Sequence, residues 1–199
     1  RVRRDWSSDV CSSDLIIAVG TPIGANGNPD LAHLSAACVT VGRTIAKNDM
    51  VIVRSTVPVG CTRETCLPIL EHESGLTAGQ DFSLAFAPER TIEGAALREL
   101  RELPQVVGGL TARCGHTVSE FWSSVCPSVT QVDSLEAAEI VKLANNTFRD
   151  LSFAFANEIA SMCEIFNINA PELIDAANKG YPRNKMSAPS PGVGGYCLT

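Results

Sequence analysis

Lys142, Asn146 and Arg149 fall in a stretch with helical patterning, where their spacing makes one polar stripe. At about 100° per residue, Asn146 sits about 40° to one side of Lys142 and Arg149 about 20° to the other. Ile140, Leu143, Thr147 and Leu151 flank the stripe, and Ala144, Phe148, Phe153, Phe155 and Ala156 leave few clearly solvent-facing positions. A Lys, an Asn and an Arg held partly buried together need an anionic partner, such as a phosphorylated or carboxylated substrate. The competing reading is a solvated stripe, the usual fate of charges on a helix, and spacing alone favours it.

A second grouping is Pro189–Cys197 (PSPGVGGYC), with Gly192, Gly194 and Gly195 just ahead of Cys197. Glycines let backbone N–H groups approach a ligand, and a Cys among such dipoles can work as a thiolate nucleophile. A glycine-rich loop alone is weak evidence, and a single Cys is usually inert packing. A third grouping lies where strands run out: Thr21-Pro22, Ser55-Thr56-Val57-Pro58 and Pro88-Glu89-Arg90. In open α/β sheets ligands bind at the carboxyl ends of strands, so these groups can face a cofactor. Turn chemistry or helix capping explains them equally well. No GxGxxG is present, so residues alone do not establish a nicotinamide site. His33, His72 and His116 have no Asp or Cys partner pattern and are expected to be structural or exposed.

The elements that must position these groups are those of an α/β protein. Strands are predicted at Ile16–Val19, Met50–Val53, Leu84–Ala87, Gln105–Val107 (closed by Gly108-Gly109) and Val129–Val132. Helices are predicted from Pro29-Asp30 to about Lys47, over Thr62–Glu73 and over Arg113–Val125. This alternation predicts a partial doubly wound, Rossmann-like parallel sheet. From Leu135 to about Phe166 there is no Gly or Pro, which predicts one long helix. Pro171 then suits the first turn of a shorter helix to Asn178, ended at Gly180. The expected organisation is a sheet domain over 16–133 and the start of a helical domain over 134–199.

Bulk properties narrow the class. The 199 residues are 45% apolar and 19% charged, which suits a globular core. The net charge of -6 argues against nucleic acid, and no apolar run reaches the roughly 20 residues that cross a bilayer. Eight Cys are too few for a disulfide scaffold, and Cys61 and Cys66 lack CxxC spacing, so no metal is expected. Scattered thiols fit core packing in a reducing compartment, the cytoplasm. Residues 1–15 (RVRRDWSSDVCSSDL) differ sharply in composition from the apolar run that begins at Ile16. From Arg4 onward they resemble the conceptual translation of a sequencing adapter, and they are expected to lie outside the native fold.

The ordered segments resemble the UDP-glucose and UDP-N-acetylmannosamine dehydrogenase superfamily. The likeness runs through Ala18–Pro22 (AVGTP), Ser55–Gly60 (STVPVG), Ala87–Gly94 (APERTIEG) and Gln105–Gly109 (QVVGG). It continues through Glu139–Asp150 (EIVKLANNTFRD), Phe155–Glu158 (FANE), Gly180–Asn184 (GYPRN) and Pro189–Leu198 (PSPGVGGYCL). It covers essentially all of Ile16–Thr199, and NNTFRD with YPRN looks more like the UDP-N-acetylhexosamine branch.

The resemblance implies NAD-dependent oxidation of a sugar C6 alcohol to the uronate, in polysaccharide biosynthesis. It implies Cys197 as nucleophile, Lys142 as general acid/base with Asn146 beside it, and Glu89 as the carboxylate assisting thioester hydrolysis. Arg90, Thr91, Arg149, Tyr181, Arg183 and Gly194 match substrate-binding positions, and Thr21 and Thr56 match NAD contacts. Gly20 departs from the proline common in the family. The resemblance also implies a UDP-sugar partner and a homodimer through the central helix. The family's Gly-rich first βαβ unit, its acidic residue after the Cys and its C-terminal UDP-binding domain are not found, so the fragment is expected to be inactive. Rivals left open are UDP-glucose as substrate, a hydroxyacid dehydrogenase of the 6-phosphogluconate type, and a non-catalytic α/β binding module.

Overall fold

The computed structural model describes residues 14–25, 27–92, 94–183 and 185–190. It divides into two compact units, Arg1–Lys142 and Leu143–Thr199. The first is an α/β unit around a five-stranded sheet in the order β1-β2-β3-β4-β5. Its strands are β1 (Asp14–Ile17), β2 (Met50–Val53), β3 (Ser83–Phe86), β4 (Gln105–Gly109) and β5 (Val129–Val132). The apolar run Met50–Val53 is buried at every position, as expected of a strand covered on both faces.

Strand β1 starts earlier than the expected Ile16. Asp14 and Leu15 pair with Met50 and Val51, and half-buried Leu15 packs on the core. Ladder pairing uses main-chain groups, so composition did not mark it. The rest of the adapter-like stretch, 1–13, lies outside the described residues.

The sheet is mostly parallel, which bears out the Rossmann-like expectation, and one antiparallel pairing corrects it. β1, β2 and β3 are parallel, β4 runs antiparallel to β3, and β5 is parallel to β4. A parallel crossover needs a helix packed on a sheet face. The helix between β3 and β4, α3 (Ala96–Glu102), has no fully buried residue and packs on the core through half-buried Leu100 alone. The chain therefore enters β4 from the end where β3 finished. Between β4 and β5, α4 (Ala112–Ser123) buries Cys114, Val118 and Trp122 and makes a true crossover.

The remaining helices of this unit are α1 (Ala32–Gly42), shorter than predicted, and α2 (Leu67–Ser74). A five-residue π-helical turn, Thr62–Cys66, leads into α2. Leu34, Cys38, Cys66 and Leu70 join the strands in the main core. All six described cysteines are free and buried. His33, His72 and His116 are exposed.

Gly108 and Gly109 belong to β4 and do not close it. A Cβ on Gly108 would lie 2.1 Å from Ser134 O and 2.8 Å from the Ala138 Cβ. Glycine there lets the start of α5 (Leu135–Ile165) come down on the sheet. The Ser134 hydroxyl accepts the Ala137 N–H at 3.1 Å, capping α5. Leu135, Ala138 and Glu139 are fully buried, so the first turns of α5 belong to the sheet unit.

The second unit contains the rest of α5 and α6 (Ala170–Asn178). Pro171 occupies the first turn of α6, and the Asn169 side chain caps it. Ala156, Cys163 and Ile174 are buried, while Phe148 (73% exposed) and Phe155 (53%) lie open. Among the described residues no helix is long and apolar enough to cross a membrane.

Candidate active site

Three strand ends converge on Glu89. Arg54 directly follows β2, Pro88-Glu89 follow β3, and Gln105 opens β4. Because β4 is reversed, its first residue stands where β2 and β3 finish. The Arg54 guanidinium donates to Glu89 Oε2 at 2.7 Å and to Gln105 Oε1 at 3.4 Å. Only 5% of the Arg54 side chain is exposed, against 43% of that of Glu89. The guanidinium also lies 4.5 Å from the Trp122 ring centre, a cation–π stack. Gln105 Nε2 donates to Pro88 O at 3.1 Å, and Thr91 N–H donates to Glu89 Oε1 at 2.8 Å. The carboxylate and the peptide before it are thus both held.

Lys142 reaches this loop from α5. Its ammonium donates to the Glu89 carbonyl oxygen at 2.6 Å. Its placement follows from Glu139, one turn earlier, whose buried carboxylate accepts the N–H groups of Gly60 and Thr62. The structure thus brings together Lys142, Glu89 and Thr91, and Arg90 lies beside them with its guanidinium on Pro104 O at 3.2 Å.

Burial pushes the Glu89 carboxyl up, but hydrogen bonds from Arg54 and Thr91 outweigh it and hold the group below the usual carboxylate range. It is therefore ionised at neutral pH. Burial pushes the nearby Cys126 thiol up, Arg54 draws it partly back and the Glu89 charge raises it further, so it stays protonated. A protonated, buried thiol is a poor nucleophile.

The predicted cofactor threonines also meet. The Thr21 hydroxyl donates to Thr56 O at 2.5 Å, and the Ser55 hydroxyl donates to Val19 O at 2.7 Å. These bonds tie the loops after β1 and β2 at the carboxyl edge of the sheet, where α/β folds take dinucleotides. Small hydroxyl side chains and close main chain there fit such a ligand.

Asn146, Arg149, Tyr181 and Arg183 fall in the second unit. Arg149 is exposed, Asn146 half-buried, and the Arg183 guanidinium lies 5.7 Å from the Tyr181 ring centre. Of the expected partly buried stripe, Lys142 and Asn146 are half-buried, while Arg149 is exposed with Phe148 and Phe155 open on the same helix. Apolar residues around a helix are buried only where another element covers them. Cys197 and Gly194 lie outside the described residues.

Arg54, Gln105 and Glu139 were not singled out from sequence. Arg54 carried a readable signal, a charge abutting the wholly apolar strand MVIV. Glu139 carried another, an acid among Ala137, Ala138, Ile140 and Val141.

A mixed α/β sheet with hydroxyl-bearing loops at one edge, followed by a lysine-bearing long helix, defines a dehydrogenase-type nucleotide fold. Residues 1–126 match the NAD binding domain of the UDP-glucose/GDP-mannose dehydrogenase family, and residues 136–199 match its central domain. The chain belongs to that family. It is 35% identical over 189 residues to the NDP-N-acetyl-D-galactosaminuronic acid dehydrogenase of Ralstonia solanacearum, covering 92% of this chain and 44% of the relative. The solved UDP-N-acetyl-D-mannosamine dehydrogenase of Pyrococcus horikoshii superposes with a TM-score of 0.87 at 36% identity, over 93% of this chain and 44% of that one. A UDP-glucose dehydrogenase structure from Pyrobaculum islandicum gives 0.82 at 30% identity, over 93% and 43%. The chain thus spans less than half the length of these relatives.

Proposed function

We propose that the protein carrying this chain oxidises the C6 alcohol of a UDP-N-acetylhexosamine, the mannosamine or glucosamine sugar, to the uronate. The observation that carries the reading is the Lys142 ammonium on the Glu89 carbonyl, 2.6 Å apart, at the carboxyl ends of β2 and β3. Family membership supports it, and the substrate class rests on the relatives' names together with Arg149 and Tyr181–Arg183.

Lys142 takes the hydroxyl proton as the C6 hydride departs, and its ammonium steadies the developing alkoxide, with Asn146 assisting. Thr21 and Thr56 would hold NAD, which would supply a hydride acceptor for each oxidation, one cofactor molecule per step. The Cys197 thiolate adds to the C6 aldehyde, and the resulting thiohemiacetal gives up the second hydride to become a thioester. Water, assisted by Glu89, cleaves the thioester and returns the thiol. Arg90, Thr91, Arg149, Tyr181, Arg183 and Gly194 bind the sugar nucleotide. Open apolar residues of α5, including Phe148, Leu151 and Phe155, support a homodimer through this helix. Free thiols and a nucleotide-sugar substrate support a cytoplasmic location.

The test is rapid-mixing absorbance of NADH formation by the full-length protein with UDP-N-acetylmannosamine, UDP-N-acetylglucosamine and UDP-glucose in turn. Two NADH per N-acetylhexosamine are expected, and Cys197→Ser should stall after the first. A Cys197→Ser protein releasing two NADH at near-native rate would sink the covalent route, and preference for UDP-glucose would overturn the substrate class.

A further inference from the structure

We propose that Arg54 is a positioning residue for this reaction, holding the Glu89 side chain inward so that the Glu89 main-chain carbonyl fixes the Lys142 ammonium. The proposal rests on the dehydrogenase reading given above and names a part of the site that reading leaves out.

The geometry is specific. Arg54 meets Glu89 twice, because its guanidinium donates to Oε2 at 2.7 Å and its own carbonyl accepts the Glu89 N–H at 3.3 Å. The carbonyl of the same Glu89 residue is the acceptor for Lys142. The Glu89 carbonyl belongs to the peptide leading to Arg90, so a turn of that peptide is felt directly at the Lys142 nitrogen, and the Thr91 N–H on Oε1 ties the side chain to the same stretch. Nothing about Arg54 is loose. Trp122 stacks on its guanidinium, Gln105 Oε1 accepts from it, and its N–H donates to Ile17 O at 2.8 Å.

Charge explains why an arginine suits this position. The Glu89 carboxylate is half-buried within its loop, and its neighbours come from several elements. They are Arg54 after β2, Cys126 after α4, Lys142 on α5, and Arg90 next in sequence, whose guanidinium is turned to Pro104 O. Arg54 contacts the carboxylate itself, at 2.7 Å. Without it, the half-buried carboxylate would lose its cation and be drawn to the Lys142 ammonium. An ion pair there would raise the pH at which Lys142 can accept a proton. Arg54 thus keeps carboxylate and ammonium in separate bonds, the first to the guanidinium and the second to a neutral carbonyl.

A positioning role predicts coupling, whereas a purely structural role predicts additive losses. The experiment is a double-mutant cycle in the full-length protein with Arg54→Met, Glu89→Gln and the pair, measuring kcat and KM with the N-acetylhexosamine substrates across pH. Arg54→Met is expected to lower kcat roughly tenfold or more with little change in KM, and to move the acid limb of the pH profile upward. In the Glu89→Gln background the same change should cost at most about twofold. Arg54→Lys should recover part of the rate and most of the profile, since it restores charge without the fork. If Arg54→Met fails to fold by circular dichroism, Arg54→Lys is carried through the same cycle, with a smaller coupled loss expected. Additive losses, or an unshifted pH profile in a folded variant, would overturn the role of Arg54. A wild-type protein that oxidises no nucleotide sugar would instead overturn the dehydrogenase reading.

Discussion

The wholly buried Glu139 carboxylate accepts the Gly60 N–H at 2.6 Å. Its other oxygen accepts the Thr62 N–H at 2.9 Å, so one side chain on α5 satisfies two main-chain donors at the start of the π-helical turn. This pins the loop after β2 to α5 one turn ahead of Lys142.

Glu139→Ala should therefore destabilise the sheet unit by about 2–5 kcal/mol, since two buried donors lose their acceptor. Glu139→Gln keeps one acceptor oxygen and should cost less, about 1–2 kcal/mol. Urea denaturation followed by circular dichroism checks both. Equal and small effects would mean that water or a neighbour replaces the carboxylate.

Gly108 and Gly115 should respond differently to alanine. The added methyl at Gly108 meets the Ser134 carbonyl and the Ala138 Cβ, both main-chain-fixed on the first turn of α5. Gly108→Ala should cost about 1–3 kcal/mol or more. At Gly115 the nearest atom is the Gln131 amide nitrogen at 2.5 Å, the far end of an exposed side chain that can swing away. Alanine also favours the helix by up to about 1 kcal/mol, so Gly115→Ala should be near neutral. Paired thermal melts decide. A Gly108→Ala protein as stable as wild type would show that α5 can lift off the sheet at little cost.

The parts of this molecule that were legible in sequence are those governed by periodicity and punctuation. The run Met50–Val53 could only be a buried strand, and the Gly- and Pro-free stretch from Leu135 could only be a long helix. The reversal at β4 was not legible, because it depends on whether α3 packs on the sheet. The Ala96–Glu102 sequence does not announce that Leu100 alone reaches the core. Lys142 and Glu89 were found through motif order, yet their contact runs through a main-chain carbonyl, which no side-chain pattern encodes. Arg54 escaped because spacing says nothing about which carboxylate a buried arginine will meet. The apolar surroundings of Arg149 were read as burial, but covering a helix face is a tertiary fact.

The Arg63–Glu136 pair gives a pH signature. The Arg63 guanidinium donates to Glu136 at 2.5 Å and lowers its carboxyl to about 2, from an ordinary 4.5. A carboxyl whose pKa is depressed in the folded state adds stability that is complete above its unfolded pKa. That stability is lost as pH falls from about 4.5 toward 2. Both side chains are partly exposed, so solvent screening keeps the contribution to about 1 kcal/mol or less. Arg63→Leu should narrow the stability difference between pH 5 and pH 2.5 relative to wild type, and added salt should do the same. Parallel pH curves for the two proteins would mean that the pair contributes nothing.

If Lys142 is the catalytic lysine of the proposed reaction, its two roles can be separated in the full-length protein. Lys142→Met removes both the proton acceptor and the positive charge, and losing one such electrostatic donor costs roughly a hundredfold to a thousandfold in rate. Both oxidations should slow, because the alkoxide of the first and the thiohemiacetal oxygen of the second lose the same partner. Lys142→Arg keeps the charge near the Glu89 carbonyl but cannot accept a proton at any accessible pH. If proton removal limits the first oxidation, Lys142→Arg should recover less than about tenfold of the loss, and its rate should not rise with pH. If stabilisation of the oxyanion dominates, the arginine should recover most of it. Single-turnover NADH traces between pH 6 and 10 distinguish these outcomes. Indifference of both oxidations to Lys142→Met would return the Lys142 side of α5 to an ordinary solvated face.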